Sequence, residues 1–178
     1  MKNYYRLLSM LGLIALLFSS ACGDDDSDDP SVDPLVGVYT LTSVTLNQDV
    51  LYNGINFMDG DDITVIVTTA LYDASPCDNG ANTVIDLRDS FDVYYACKSE
   101  TTDPERFGNW SLSSDRSTLT MNLTVQGSPF PLVLEDLVVT DTNVTGTVAN
   151  YPLVELSPGG GFQIIPVSVD IDFTRTTL

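Results

Sequence analysis

The 178-residue sequence predicts an all-β domain of about eight antiparallel strands, preceded by an export signal and a flexible tether. Residues 118–125 and 167–174 alternate strictly between apolar and polar side chains, which places one strand face on a core and the other in water. Turn-forming residues separate such runs, and no 11-residue window after residue 22 keeps a helical apolar stripe. Short, evenly spaced strands of this kind favour a closed barrel or a sandwich, which hides sheet edges.

The N-terminus predicts a cleaved signal peptide at residues 1–21. Lys2 and Arg6 form a basic segment, residues 7–18 form an apolar run, and small residues follow at 19–21. This order is the one that a signal peptidase recognises. An apolar run of about 12 residues is too short for a membrane-spanning helix, which needs about 20.

Cys22 is the predicted site of lipid attachment. The Ser-Ser-Ala-Cys sequence at 19–22 resembles a lipobox, although Ser19 stands where the usual pattern has Leu. The alternative is an ordinary secretory signal beside a cysteine. Residues 22–34 are acidic and lack a core-forming pattern, so we expect a flexible tether.

The acidic run at 23–30 resembles the tag that sends certain Gram-negative lipoproteins to the exterior of the outer membrane; a plain solvated linker is the alternative. All 25 acidic residues and only five of the seven basic ones follow residue 22. A net charge near −20 repels phosphate backbones, so no nucleic-acid partner is expected, and it also repels anionic headgroups. Membrane attachment is therefore expected through acyl chains of the palmitate type.

Cys77 and Cys97 are an even pair in an exported chain, which indicates a disulfide. Two buried free thiols are the alternative. A metal site is disfavoured because the chain contains no histidine and no second cysteine pair.

The strands are predicted from alternating or β-branched runs bounded by turn residues. They cover residues 36–46, 62–71, 82–87, 91–98, 107–112, 117–125, 131–140 and 143–150. A ninth run at 162–175 remains to be placed. Either two runs merge, most plausibly 82–87 with 91–98, or one run lies outside the barrel.

Two short motifs carry a family resemblance. Leu-Val-Gly-Val-Tyr-Thr-Leu at 35–41 and Phe-Gly-Asn-Trp-Ser-Leu at 107–112 resemble the Gly-x-aromatic strands of lipocalin-like lipoproteins of Gram-negative bacteria, which have a calycin-type barrel. The first motif departs from the family because Tyr39 stands where lipocalins usually keep Trp. The resemblance implies an up-and-down barrel over residues 35–178.

The resemblance also implies two contacts. In such proteins a cysteine at the end of one strand often pairs with one before the mid-chain Gly-x-Trp, a placement that Cys77 and Cys97 match. An arginine from the last strand covers the motif aromatic at one barrel end. We therefore expect a cation–π contact between Arg175 and Tyr39.

The resemblance implies a small hydrophobic ligand inside the barrel, since eight strands enclose just enough room for side chains or one such molecule. The predicted lining residues are Tyr39, Leu41, Phe91, Val93, Tyr95, Trp110, Leu112, Leu119, Met121, Leu123, Val169 and Ile171. The alternative is a filled barrel that contacts a protein or glycan partner through the segment 77–97 and the loops near Tyr72, Tyr94 and Phe107.

Enzymatic activity is not expected. Without histidine, neither a Ser-His-Asp triad nor a Cys-His pair can form, and the Pro-Gly-Gly-Gly segment at 158–161 lacks the lysine and helix of a phosphate loop. The acidic cluster at 59–62 is predicted to be a solvated turn; the alternative is that it binds calcium. No cofactor is expected.

Overall fold

The computed structural model describes residues 32–73, 75–77, 80–98, 103–125, 127–157 and 159–177. Eight antiparallel strands form a closed barrel, as the sequence predicts. The predicted signal peptide, the predicted lipidation site Cys22 and the predicted tether up to residue 31 lie outside the described residues.

The described elements comprise ten strands, one α-helix and a 3₁₀ turn at Gly80–Asn82. In chain order they are β1 (Gly37–Leu46), β2 (Val50–Tyr52), β3 (Ile55–Phe57), α1 (Thr64–Tyr72), β4 (Thr83–Leu87), β5 (Asp92–Cys97), β6 (Glu105–Leu112), β7 (Leu119–Val125), β8 (Ser128–Val139), β9 (Asn143–Leu156) and β10 (Phe162–Thr176).

The barrel has an up-and-down order from β4 to β10, in which each strand pairs with the next strand along the chain. β10 then pairs with β1, and β1 pairs with β4 to close the wall. Tyr39 is central to this closure because it pairs with Arg175 on one side and with Ile85 on the other. The short hairpin of β2 and β3 lies outside the barrel sheet.

The predicted strand at 62–71 is wrong, since these residues form most of α1. β-branched residues favour strands on average, but tertiary packing overrides that preference. Ile63, Val67 and Leu71 recur at the four-residue spacing of a helix and are all buried. The helix is nine residues long. A search for a helical apolar stripe in 11-residue windows therefore includes non-helical residues on either side and does not detect it.

This helix explains why the sequence predicts nine strand runs for a barrel of eight strands. The runs at 82–87 and 91–98 do not merge; they form the neighbouring strands β4 and β5. The hairpin of β2 and β3 turns at Asn53-Gly54, both with positive φ (49° and 76°), the pairing that a two-residue hairpin turn requires. The strand predicted to end at residue 150 continues as β9 to Leu156.

The predicted disulfide is confirmed. Cys77 and Cys97 are bonded, with their Cα atoms 5.6 Å apart, and the bond joins the segment before the 3₁₀ turn to the end of β5. Closing a loop over a sequence separation of 20 residues stabilises the fold by about 3 kcal/mol in the chain-entropy model.

A close approach of two strands explains the glycine of the mid-chain motif. A Cβ atom on Gly108 of β6 would lie 2.3 Å from the carbonyl oxygen of Asn122 in β7, far inside van der Waals contact. The backbone cannot yield here without breaking the pairing of the two strands, which is in register at these residues.

We therefore expect Gly108→Ala to lower the free energy of unfolding by about 2–3 kcal/mol. Gly161→Ala is the matched control, because its Cβ would meet no atom within 4 Å and the substitution should change stability little. Urea denaturation monitored by circular dichroism measures both. Equal stability of the two variants would contradict the close approach.

Candidate binding site

The barrel axis is filled by side chains. The space between Tyr39, Met121 and Phe173 and their neighbours has a volume of about 10 Å³. This space is no larger than one water molecule needs. The side chains that surround it are Tyr39, Ile85, Leu87, Leu119, Met121, Val144 and Phe173.

Most of the residues predicted to line the barrel are buried in its core. Leu112 is half-buried, and ten others are buried: Tyr39, Leu41, Val93, Tyr95, Trp110, Leu119, Met121, Leu123, Val169 and Ile171. Phe91 instead lies in the turn before β5 with positive φ, is 56% exposed, and packs against Trp110 with ring centroids 4.9 Å apart. The core residues therefore pack on one another rather than around a large axial void.

One barrel end is closed by Tyr39 and Arg175. The guanidinium carbon of Arg175 lies 5.4 Å from the centroid of the Tyr39 ring, within the range of a cation–π contact. Arg175 also donates hydrogen bonds to the Tyr39 hydroxyl (2.9 Å) and to the Pro34 carbonyl, and the Tyr39 hydroxyl donates to the Leu35 carbonyl (3.0 Å). Burial raises the pKa of Tyr39, so its hydroxyl stays protonated and available as a donor.

Aromatic side chains and α1 fill the core at another place in the fold. The rings of Tyr95 and Phe107 stack with centroids 3.5 Å apart, and Tyr72 of α1 meets Tyr95 edge-on at 5.8 Å. The Tyr95 hydroxyl donates to the carbonyl of Leu71, also in α1. Tyr72 and Phe107, expected near exposed contact loops, are therefore buried, at 5% and 8% exposure.

The barrel wall has an incomplete seam between β1 and β4. The two strands pair only at residues 37–39 of β1, and from Thr40 onward β1 has no β4 partner. A partly open pocket of about 540 Å³ lies beside this point. We call it the lateral pocket; its lining residues are Thr40, Leu41, Thr68, Thr69, Tyr72, Asp73, Ser75, Cys77, Gly80, Ala81 and Thr83.

Hydroxyl groups dominate the polar part of the lateral pocket. Thr68 and Thr69 donate to helix carbonyls four residues earlier, at 2.8 Å and 2.7 Å, so their oxygen lone pairs remain acceptors. The hydroxyls of Ser75 and Thr83 bond each other at 2.8 Å across the pocket margin. This wall can accept and donate hydrogen bonds without carrying a positive charge.

Two buried hydroxyl oxygens of pocket-lining residues have no hydrogen-bond partner among the described residues, Thr40 Oγ1 and Tyr72 Oη. The Leu41 backbone lies close enough to Tyr72 to lower its pKa somewhat, but the pair does not meet hydrogen-bond geometry. Burial is the larger effect and raises the Tyr72 pKa, which keeps the hydroxyl neutral. Each of the two oxygens has less than 1 Å² of accessible surface, so neither is open to the lateral pocket, and an unpartnered buried hydroxyl of this kind costs the fold stability.

The acidic cluster at 59–62 organises the turn before α1. Asp61 accepts the Met58 N–H at 2.8 Å, and Asp62 accepts the Thr64 N–H at 2.7 Å. Hydrogen bonds from the Thr64 hydroxyl first and then from its N–H lower the pKa of Asp62. No group of three or more His, Cys, Asp or Glu side chains within the described ranges is placed to hold a metal ion.

Sequence reasoning missed most of the lateral pocket. Of its lining residues, only Leu41 is among the residues predicted to bind a ligand inside the barrel, while Tyr72 and the residues at 77–83 were expected only in the alternative, as part of a partner-contact surface. The pocket is built from one strand, a short helix and an irregular segment, which share no periodic pattern. The run of threonines at 68–69 beside Tyr72 is a local signal, but it becomes meaningful only once these residues are known to be helical.

No protein-family model matches the chain, and no curated protein sequence matches it significantly. In the part of the chain that the structure describes, no helix combines the length and apolarity needed to cross a bilayer.

Two tyrosines provide a test of the unpartnered hydroxyl. Tyr72→Phe removes a buried hydroxyl that has no partner, so the free energy of unfolding should stay constant or rise by about 1 kcal/mol. Tyr95→Phe removes a hydroxyl that bonds the Leu71 carbonyl and should cost about 1–2 kcal/mol. Urea denaturation of both variants checks this; a loss as large for Tyr72→Phe as for Tyr95→Phe would show that Tyr72 has a structural partner.

Proposed function

We propose that the chain is a membrane-anchored binding protein of the bacterial envelope, and that its ligand occupies the lateral pocket rather than the barrel axis. The observation that carries this proposal is the contrast between the two spaces: about 540 Å³ beside the β1–β4 seam and about 10 Å³ on the axis. Pockets for small molecules in proteins have volumes of about 300–1,000 Å³.

The chemistry of the pocket favours a small, uncharged ligand rich in hydroxyl or amide groups. Thr68 and Thr69 line the pocket, Thr69 is exposed, and both offer hydroxyl oxygens as acceptors. Asp73 lines the pocket, and the chain carries a net charge of −18, so an anionic ligand would be repelled. Leu41 and Ala81 supply apolar contact for the carbon skeleton of such a molecule.

Two other occupants fit less well. A hydrophobic ligand on the axis would have to displace close-packed side chains such as Met121 and Leu119, at the cost of core packing. A protein or glycan partner on the predicted loops would meet few exposed aromatic rings. Tyr72 and Phe107 are buried, and Tyr94 is half-buried under the Arg88 guanidinium, 3.7 Å from its ring centroid.

The envelope location rests on the signal peptide, Cys22 and the acidic tether. The disulfide between Cys77 and Cys97 supports it, because disulfides persist in oxidising compartments outside the cytosol. In this proposal, acyl chains on Cys22 hold the protein in the outer membrane and the domain faces the cell exterior. The protein binds rather than converts its ligand, and it uses no cofactor.

The binding proposal predicts where ligands perturb the domain. In ¹⁵N-labelled protein titrated with glucose, N-acetylglucosamine and maltose, we expect shifts at Thr40, Thr69 and Thr83 for at least one sugar. Thr69→Val should weaken that binding about tenfold, the effect of one lost hydrogen bond. Thr124→Val, an exposed threonine far along β7, is the control. Shifts at Met121 with laurate and none with the sugars would place the ligand on the axis instead.

The anchoring proposal predicts acylation at one cysteine. Expressed in a Gram-negative host with labelled palmitate, the full chain should carry label and sediment with the outer membrane. Cys22→Ser should lose both, whereas the double variant Cys77→Ser/Cys97→Ser should keep the label. Label that survives Cys22→Ser would contradict the assignment.

A further inference from the structure

The far parts of β9 and β10 form a two-stranded ribbon with an apolar outer face. We call residues 151–157 and 159–167 the apolar ribbon. Leu156 pairs with Phe162, and Val154 pairs with Ile164, so the four side chains lie on one face. Their exposures are 71%, 79%, 50% and 64%, respectively, which is unusual for a cluster of large apolar residues in a soluble domain.

The inner face of the same ribbon is packed on the protein. Tyr151, Leu153 and Val167 alternate with the exposed residues and are buried, at 3%, 3% and 1% exposure. The ring of Tyr151 meets Phe130 of β8 edge-on at 5.8 Å. The outer face is therefore held in place by a packed inner face, rather than left exposed by disorder.

Charged residues are nearly absent from the ribbon and the segments beside it. Residues 142–169 contain one charged residue, Glu155, in a sequence that has 25 acidic and seven basic residues. Glu155 belongs to the inner face, where its carboxylate accepts the Asn53 N–H at 2.8 Å. The outer face thus lacks the charged rim that usually surrounds an apolar protein–protein interface, and nothing charged would need desolvation against hydrocarbon.

Two prolines remove hydrogen-bond donors from the ribbon edges. Pro152 and Pro166 are direct partners across the strands. The Ser157 N–H donates to the Gly161 carbonyl at 2.8 Å, and hydrogen-bonded pairs alternate with non-bonded ones in antiparallel strands. The proline pair therefore falls at a non-bonded position, where N–H groups would point outward from both edges.

The missing N–H groups have two consequences. They block a partner strand from adding to either edge, and they leave fewer unpaired donors to bury in an environment without water. A second copy of this chain is disfavoured as the occupant because two strongly acidic molecules repel each other.

We propose that the apolar ribbon inserts its outer face into the lipid surface of the membrane that carries the protein. This inference rests on the anchoring at Cys22 in the proposed function. The Asn47 N–H, one residue past the end of β1, donates to the carbonyl of Ser168, which is next to the ribbon. The ribbon therefore begins at the end of β1 that is farther from the tether. The ten residue-to-residue steps from Cys22 to Val32 span at most about 35 Å, which is close to the length of the ten-residue β1, about 33 Å. The domain can therefore lie along the membrane with both points in contact.

Quenching by brominated lipid tests the insertion. The acylated, processed protein is reconstituted into phosphatidylcholine vesicles with or without acyl-chain bromine, as Phe162→Trp and, for control, as Val138→Trp on β8. Val138 is exposed at 55% and lies outside the ribbon. The native Trp110 is 2% exposed and provides the background that is subtracted. We expect at least twofold stronger quenching for the tryptophan at 162 than for the one at 138, and a loss of that difference when Leu156→Ser and Ile164→Ser are added.

The outcomes separate the two proposals. Protein that fails to float with the vesicles refutes the anchoring. Protein that floats but is quenched equally at 162 and 138 refutes the insertion alone. A concentration-dependent dimer in detergent that Phe162→Ser dissociates would assign the ribbon to a second copy and also overturn the insertion.

Discussion

The fold depends on how the barrel closes where β1 leaves β4. Three residue pairs cannot satisfy the backbone of a ten-residue strand, and buried N–H and C=O groups need partners. The segment before α1 supplies them: Val44 accepts the Ile63 N–H at 2.9 Å and donates to Thr64 Oγ1 at 2.7 Å, and Leu46 bonds Gly60 and Asp61 in the same way. A helix and its leading turn thus replace a length of missing strand pairing.

This substitution explains both the filled core and the lateral pocket. α1 brings Ile63, Val67 and Leu71 into the core, and its Tyr72 meets the stacked rings of Tyr95 and Phe107. A helix cannot follow a strand edge as closely as another strand does, because its diameter with side chains is about 10–12 Å against a strand spacing of about 4.8 Å. The mismatch leaves room beside Thr40, which is where the pocket lies.

The regular parts of this architecture could be predicted from the sequence, and the irregular parts could not. Alternation from Leu119 to Val125 indicates a strand with one buried face, and the structure buries Leu119, Met121 and Leu123. The run at 62–71 has equally strong strand propensity, yet its place over a gap in the wall decides its conformation. No local pattern encodes that gap, because it depends on which strands are neighbours after closure. The apolar ribbon was missed for a related reason: a strand with Pro152 within it does not look continuous until its partner is known.

The Tyr72 hydroxyl is a polar group that the fold keeps at a cost in stability. A packing defect can be left by apolar side chains at little cost, since an empty apolar cavity loses only contact energy. A buried hydroxyl without a partner costs more, and a phenylalanine would fill the same position in contact with Tyr95 without that cost. The same holds for Thr40, where valine has nearly the same shape. Two such groups lie next to the gap that α1 leaves in the wall, beside a core in which the Tyr95 hydroxyl is paired, so the fold carries their cost where the strand pairing is incomplete.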